Sequence, residues 1–195
     1  MLRSIPTIEL ILSQTDNLKI LTHLGRPSEN DPVADEFSLA PVAKRLSELL
    51  GKEVKLVKSL DELKDSKSLT MLENIRSFEG EKNNNEEFSK KLGQLGEIFV
   101  MDAFGTAHRK QASTYGIVNF IKEACFGLLI EEEMDALEKI VLNPAKPLLG
   151  IIGGSKISTK INVIESLTNH CDWLIVGGAL ALSLIHISEP TRLSV

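Results

Sequence analysis

Three separated stretches set cations beside glycines where apolar runs end: His23-Leu24-Gly25-Arg26-Pro27, Asp102 through Phe104-Gly105 to Arg109, and Gly153-Gly154-Ser155-Lys156 through Lys160. With Glu73-Asn74-Ile75-Arg76, the first two place Arg26, Arg76 and Arg109 just after short apolar segments. Guanidinium forks bind phosphates and carboxylates bidentately. A lone arginine after a strand is more often solvated than a ligand, and the His23–Pro27 turn alone fits a surface turn equally well. The repetition at three similar positions predicts one anion pocket, with His23 and His108 as added donors.

Gly153-Gly154-Ser155-Lys156 predicts a strand-to-helix turn whose backbone N–H groups can face an anion. Lys156 and Lys160, four residues apart, would share one face of that helix. Neither GxxxxGK[ST] nor GxGxxG is present. Gly177-Gly178 reads as a second close-approach turn or as a purely structural one. Two phosphorylated ligands are the chemistry these residues suggest.

These groups need a scaffold. Short apolar runs at Lys19–Thr22, Val54–Val57, Leu69–Leu72, Ile98–Met101, Leu148–Ile152 and Leu174–Val176 alternate with amphipathic segments. That alternation predicts an α/β fold, a doubly wound parallel sheet with helices on both faces. Ser38 reads as the cap of a helix carrying Leu39, Val42, Ala43, Leu46, Leu49 and Leu50, ended by Gly51. Further helices are expected from Glu86 to about Leu95 and over Leu128–Leu142, the latter with a stripe of Leu129, Met134, Leu137 and Val141. Asp61 to Ser68 reads as a surface loop or short helix.

The 195 residues are 43% hydrophobic and 25% charged, with a net charge of -5. That balance argues against a nucleic-acid-binding face. No apolar run approaches the ~18 residues of a membrane helix, so no membrane partner and a cytoplasmic location are expected. Cys125 and Cys171 have no CxxC pairing and are expected as buried thiols. His170 lacks companions at metal spacing, so no metal site is expected. Ser113-Thr114 reads as a cap or turn, Phe104 and Trp173 as packing, and Glu131-Glu132-Glu133 as a solvated helix start.

Taken in order, His23–Pro27, Leu72–Arg76, Asp102–Ser113 and Gly153–Lys160 resemble the phosphoglycerate kinase family across Met1 to Ala181. The resemblance implies a phosphoglycerate-binding domain over 1–130, an interdomain hinge helix and linker over 131–146, and the start of a second α/β nucleotide-binding domain over 147–181. It implies reversible phosphoryl transfer between 1,3-bisphosphoglycerate with ADP and 3-phosphoglycerate with ATP, in glycolysis, with Mg2+ accompanying the nucleotide and a hinge-bending closure of a monomer. His23, Arg26, Arg76 and Arg109, with His108 adjacent, then fall at the acid-substrate site. Lys156 resembles the lysine that steadies the phosphoryl group in transit, and Lys160 a nucleotide-contacting lysine beside Gly153, Gly154, Gly177 and Gly178. Ala179 stands where the family usually has a third glycine.

The family's opening Asp-Phe-Asn strand and its following arginine are not matched, and Arg3, out of register, does not inherit that role. Residues 182–195 are similar to a translated sequencing-library adapter and read as a foreign tail. The expectation is therefore a fragment without its magnesium ligands, inactive on its own. A non-catalytic phosphate- or nucleotide-binding α/β module is the alternative, since a shared scaffold does not specify activity.

Overall fold

The computed structural model describes residues 2–29, 33–142, 144–154 and 160–182. Lys156 and residues 183–195 lie outside them. Two compact units are formed, Met1–Met134 and Asp135–Val195.

In the first unit, β1 (Lys19–Ile20), β2 (Lys55–Val57) and β3 (Thr70–Leu72) make a parallel sheet in the order β1-β3-β2. The central strand is wholly buried, which is why Thr70-Met71-Leu72 reads as an apolar run without alternation. Successive side chains leave a strand on opposite faces. Met71 joins a core with Leu39, Ala43, Leu46, Val54 and Leu69, flanked by Ile5, Ile8 and Leu12 of α1 (Ile5–Leu12). Leu72 joins a second core with Val57, Leu63, Ile75, Phe88, Leu92, Ala112 and Ile117. Helices α1 and α2 (Ala40–Leu50) thus cover one face, and α3 (Leu60–Asp65) and α4 (Glu86–Gly93) the other. This is the doubly wound α/β arrangement.

A further parallel pair joins β4 (Ile98–Met101) to β5 (Glu123–Phe126). The latter strand is absent from the sequence reading: Ala124-Cys125-Phe126 is too short an apolar stretch to mark a strand by itself, and in the fold it is exposed along its length. Between them lies α5 (Phe104–Ala107). Helix α6 (Leu128–Leu142) has the predicted bounds, yet only Ile130 in it is buried. The expected stripe is open instead, with Met134 51%, Leu137 43% and Val141 56% exposed.

The second unit contains β6 (Leu149–Gly153), α7 (Ile161–His170) and β7 (Trp173–Gly177), with the strands parallel and Gly153 opposite Gly177.

Several expectations are corrected. At the start of α2, Ser38 Oγ accepts from Ala40 N at 3.2 Å, as a capping serine does, and donates to the Glu73 carboxylate at 3.0 Å; the N-cap residue Leu39 donates its N–H to the same carboxylate at 2.7 Å. A carboxylate from the end of β3 thus shares the capping with the serine. The helix ends as expected, at Gly51 in the left-handed region with φ 61°. Cys125 is exposed and Cys171 partly so, neither being a buried thiol. Trp173 is 63% exposed, and so is not packed as the sequence suggested.

Candidate functional site

β1 and β3 are parallel neighbours, so their carboxyl ends share one edge of the sheet, where ligands of open α/β sheets bind. From β1 the chain runs through His23 to Pro27, and from β3 directly into Glu73-Asn74-Ile75-Arg76. Asn74, fully buried, joins the two segments: its Nδ2 donates to Leu24 O at 2.7 Å and to Phe37 O at 3.0 Å, and its Oδ1 accepts from Arg76 N at 3.3 Å. Ile75 N donates to Thr22 O at 3.1 Å. Gly25 turns the loop with φ 63°, and a Cβ there would strike the Phe37 ring, so both conformation and space require glycine.

Arg76 is 6% exposed. Its Nη1 donates to Gly25 O at 2.9 Å, while Nη2 is buried and has no hydrogen-bond partner among the described residues. A guanidinium nitrogen without a protein acceptor is chemically able to donate to a bound anion. Burial first, then the charges of Arg109 and Arg26, push the Arg76 pKa below its usual value. Burial likewise depresses the His23 imidazole, followed by Arg76 and Arg109. Like charges act on one another this way only at close range, so Arg26 and Arg109 lie within electrostatic range of Arg76, and the His23 imidazole, held toward its neutral form, within range of Arg76 and Arg109. Arg26 is exposed and Arg109 half-buried. His108 ends α5 with an exposed side chain, and no described contact draws it into the cluster.

Arg109 sits on a tight loop after α5. Its N–H donates to Thr106 O at 2.9 Å, and its carbonyl accepts from Thr114 Oγ1 at 2.7 Å and Gln111 N at 3.0 Å. The turn role expected of Ser113-Thr114 is the one they have. Sequence reasoning offered Glu73 as a structural partner but missed Asn74 and the buried Glu81 as residues that hold the site. Asn74 and Glu73 stood inside a quoted motif, but their partners are 34 to 50 residues away.

In the second unit the two glycine turns share one edge. Gly153 pairs with Gly177, Gly154 has φ 145° and Gly178 φ 67°, and Gly154 O accepts from Leu180 N at 2.9 Å. The Lys160 ammonium lies against the Cα of Gly154, filling the space a side chain would take. Helix α7 starts at Ile161 with Lys160 as its N-cap residue, and the expectation of a face shared with Lys156 falls on a residue outside the described ones. His170 stands in the last turn of α7, its Nδ1 2.7 Å from Ser166 O.

Among the described residues, no group of three or more His, Cys, Asp or Glu could hold a metal ion. No described helix is long and apolar enough to cross a membrane.

The family model for phosphoglycerate kinase matches residues 1–191. A phosphoglycerate kinase of Desulfovibrio desulfuricans is 49% identical over 179 residues, covering 91% of this chain and 46% of that protein. One of Francisella tularensis subsp. novicida is 47% identical over 184 residues, covering 93% and 47%. Among solved structures, phosphoglycerate kinase of Coxiella burnetii superposes with a TM-score of 0.80 at 44% identity, over 96% of this chain and 48% of that one. That of Pyrococcus horikoshii gives 0.79 at 28% identity, over 98% and 50%. The chain spans about half the length of these relatives. The sheet edge with its clustered arginines, the glycine turns and these matches agree: the chain belongs to the phosphoglycerate kinase family.

Proposed function

We propose that the first unit binds the acid substrate of phosphoglycerate kinase, 3-phosphoglycerate or 1,3-bisphosphoglycerate, through His23, Arg26, Arg76 and Arg109, with the exposed His108 at the margin. The observation that carries this is the buried Arg76, one guanidinium nitrogen unpaired, within electrostatic range of two further arginines. Three cations opposed, among the described residues, only by the buried Glu81 carboxylate repel one another, and a multiply charged phosphate relieves that repulsion while accepting bidentate hydrogen bonds.

In the second unit, Gly153, Gly154, Gly177 and Gly178 offer backbone to a nucleotide phosphate, with Lys160 beside them, and Lys156 steadies the group in transit. ATP or ADP enters as its magnesium complex; the described residues offer no metal site of their own, and no step is assigned to a metal they hold. Phosphoryl transfer depends on positioning and charge neutralisation more than on covalent help from the protein. The arginines fix the acceptor oxygens, and hinge bending between the units is the motion that brings donor and acceptor together. The whole protein is then a glycolytic kinase, cytoplasmic and monomeric, and the 195-residue polypeptide supplies binding without efficient turnover.

Titration calorimetry on the chain tests this reading. It binds 3-phosphoglycerate more tightly than sulfate, and Arg76→Ala weakens that binding roughly 10- to 100-fold, the worth of a charge-assisted hydrogen bond. Lys160→Ala weakens MgADP binding and spares 3-phosphoglycerate. Equal losses for both ligands in either variant contradict the division of roles, and turnover close to an intact relative's in a coupled assay contradicts the last clause.

A further inference from the structure

Arg26, Arg76 and Arg109 sit on three different loops, and a site of this kind needs those loops held in register to within about half an ångström. The segment after Arg76 reaches both of the others. Lys82 Nζ donates to Pro27 O at 3.3 Å and lies 3.5 Å from Glu29, gripping the loop that carries Arg26. Its neighbour Glu81, 1% exposed, grips the loop that carries Arg109: its carbonyl accepts from Ala112 N at 3.0 Å, one carboxylate oxygen from Ser113 N at 3.0 Å, and the other from Ser113 Oγ. Thr114, next in the chain, closes that loop onto the Arg109 carbonyl.

We propose that Glu81 is a positioning residue of the anion site, clamping the Arg109 loop to the segment that carries Arg76. Buried carboxylates are costly, and a neutral amide would serve a purely structural clamp at less expense. What the charge adds is an opposite sign beside Arg76: of the groups acting on that guanidinium, Arg109 and Arg26 disfavour its charge and Glu81 favours it. Burial, with Glu29, pushes the Glu81 pKa up, and the Ser113 hydrogen bonds and Arg76 oppose this. The clamp therefore both orients one arginine and makes the cluster tolerable before an anion arrives. For the identity of the natural anion the inference rests on the substrate reading above; for the geometry it does not.

The test uses the full chain with sulfate as probe, since sulfate stays a dianion throughout the useful pH range. Glu81→Ala and Ser113→Ala each lower sulfate affinity roughly tenfold. Glu81→Gln, which keeps an oxygen acceptor for the Ser113 amide but removes the charge beside Arg76, recovers only about threefold of that loss. In an Arg109→Ala background, Glu81→Ala changes sulfate affinity by less than about twofold, because the two substitutions then remove the same interaction. Without ligand, amide exchange at Arg109 and Ser113 quickens in Glu81→Ala while that of Met71 in β3 does not.

An equal fall in both backgrounds would reduce Glu81 to general structural support and overturn the proposal, as would unchanged exchange at Arg109 and Ser113. If the cycle holds but 3-phosphoglycerate binds no better than sulfate, the substrate reading fails and the positioning role stands. A wild-type chain binding neither anion overturns both.

Discussion

Replacing Asn74 with alanine removes a side chain that makes three hydrogen bonds from a fully buried position, to Leu24 O, Phe37 O and Arg76 N. Each is worth about 1 kcal/mol net, so the loss comes to about 3 kcal/mol if water does not reach the freed groups. Against a domain stability of roughly 5 to 15 kcal/mol this is a large fraction. Asn74→Asp is the sharper variant. It is isosteric and keeps the acceptor for Arg76 N, yet turns a carboxylate oxygen toward two backbone carbonyls that the amide had satisfied. Its cost exceeds that of alanine, at roughly 3 to 5 kcal/mol for an uncompensated buried charge. Urea unfolding followed by far-ultraviolet circular dichroism measures both, with the slope unchanged and the midpoint lowered. The sole tryptophan, Trp173, lies in the second unit, so its fluorescence transition serves as an internal control that stays put. An aspartate variant as stable as wild type, or an alanine variant costing less than about 1 kcal/mol, would refute the view that Asn74 ties the two loops together.

Glu73→Ala uncaps α2 from a distance and costs about 1 to 2 kcal/mol in the same assay, whereas Glu73→Gln, retaining an acceptor for Leu39 N, loses less. The His23 pKa is depressed by burial and then by Arg76 and Arg109, so neutralising those arginines with sulfate raises it and the complex takes up protons at pH values just below the ordinary histidine range. Calorimetry in buffers of different ionisation enthalpy detects the uptake, which His23→Gln abolishes; proton release would contradict the assignment. In the absence of anion the same depression makes stability decline as pH falls below about 6.5, because the unfolded chain then binds the proton more readily.

The chain order of cations and glycines was enough to single out the residues of the proposed anion sites, because the chemistry of phosphate recognition restricts the residue types and a parallel sheet delivers its ligands at strand ends. Apolar runs and helical stripes likewise foretold most elements, including both bounds of α6 and the Gly51 stop, since these depend on local periodicity and backbone preference. Local pattern failed where a partner from elsewhere did the work. Ser38 supplies an acceptor at the start of α2, but Glu73 arrives from β3 to hold Leu39 N; β5 offers only the short apolar stretch Ala124-Cys125-Phe126 and is a strand because β4 pairs with it. The stripe on α6 promised burial, yet periodicity states only that a face exists and not what covers it.

Glu81 shows the same limit at the site. Between a glycine and a lysine it is an ordinary acidic residue, and only folding brings Ser113, 32 positions on, to its carboxylate. Composition and spacing determined which charges the protein carries to its sheet edge. Tertiary structure alone decided which of them is buried, which nitrogen of Arg76 is left open, and which carboxylate holds the loops apart or together, because each of those outcomes is an energy of contact between residues distant in the chain.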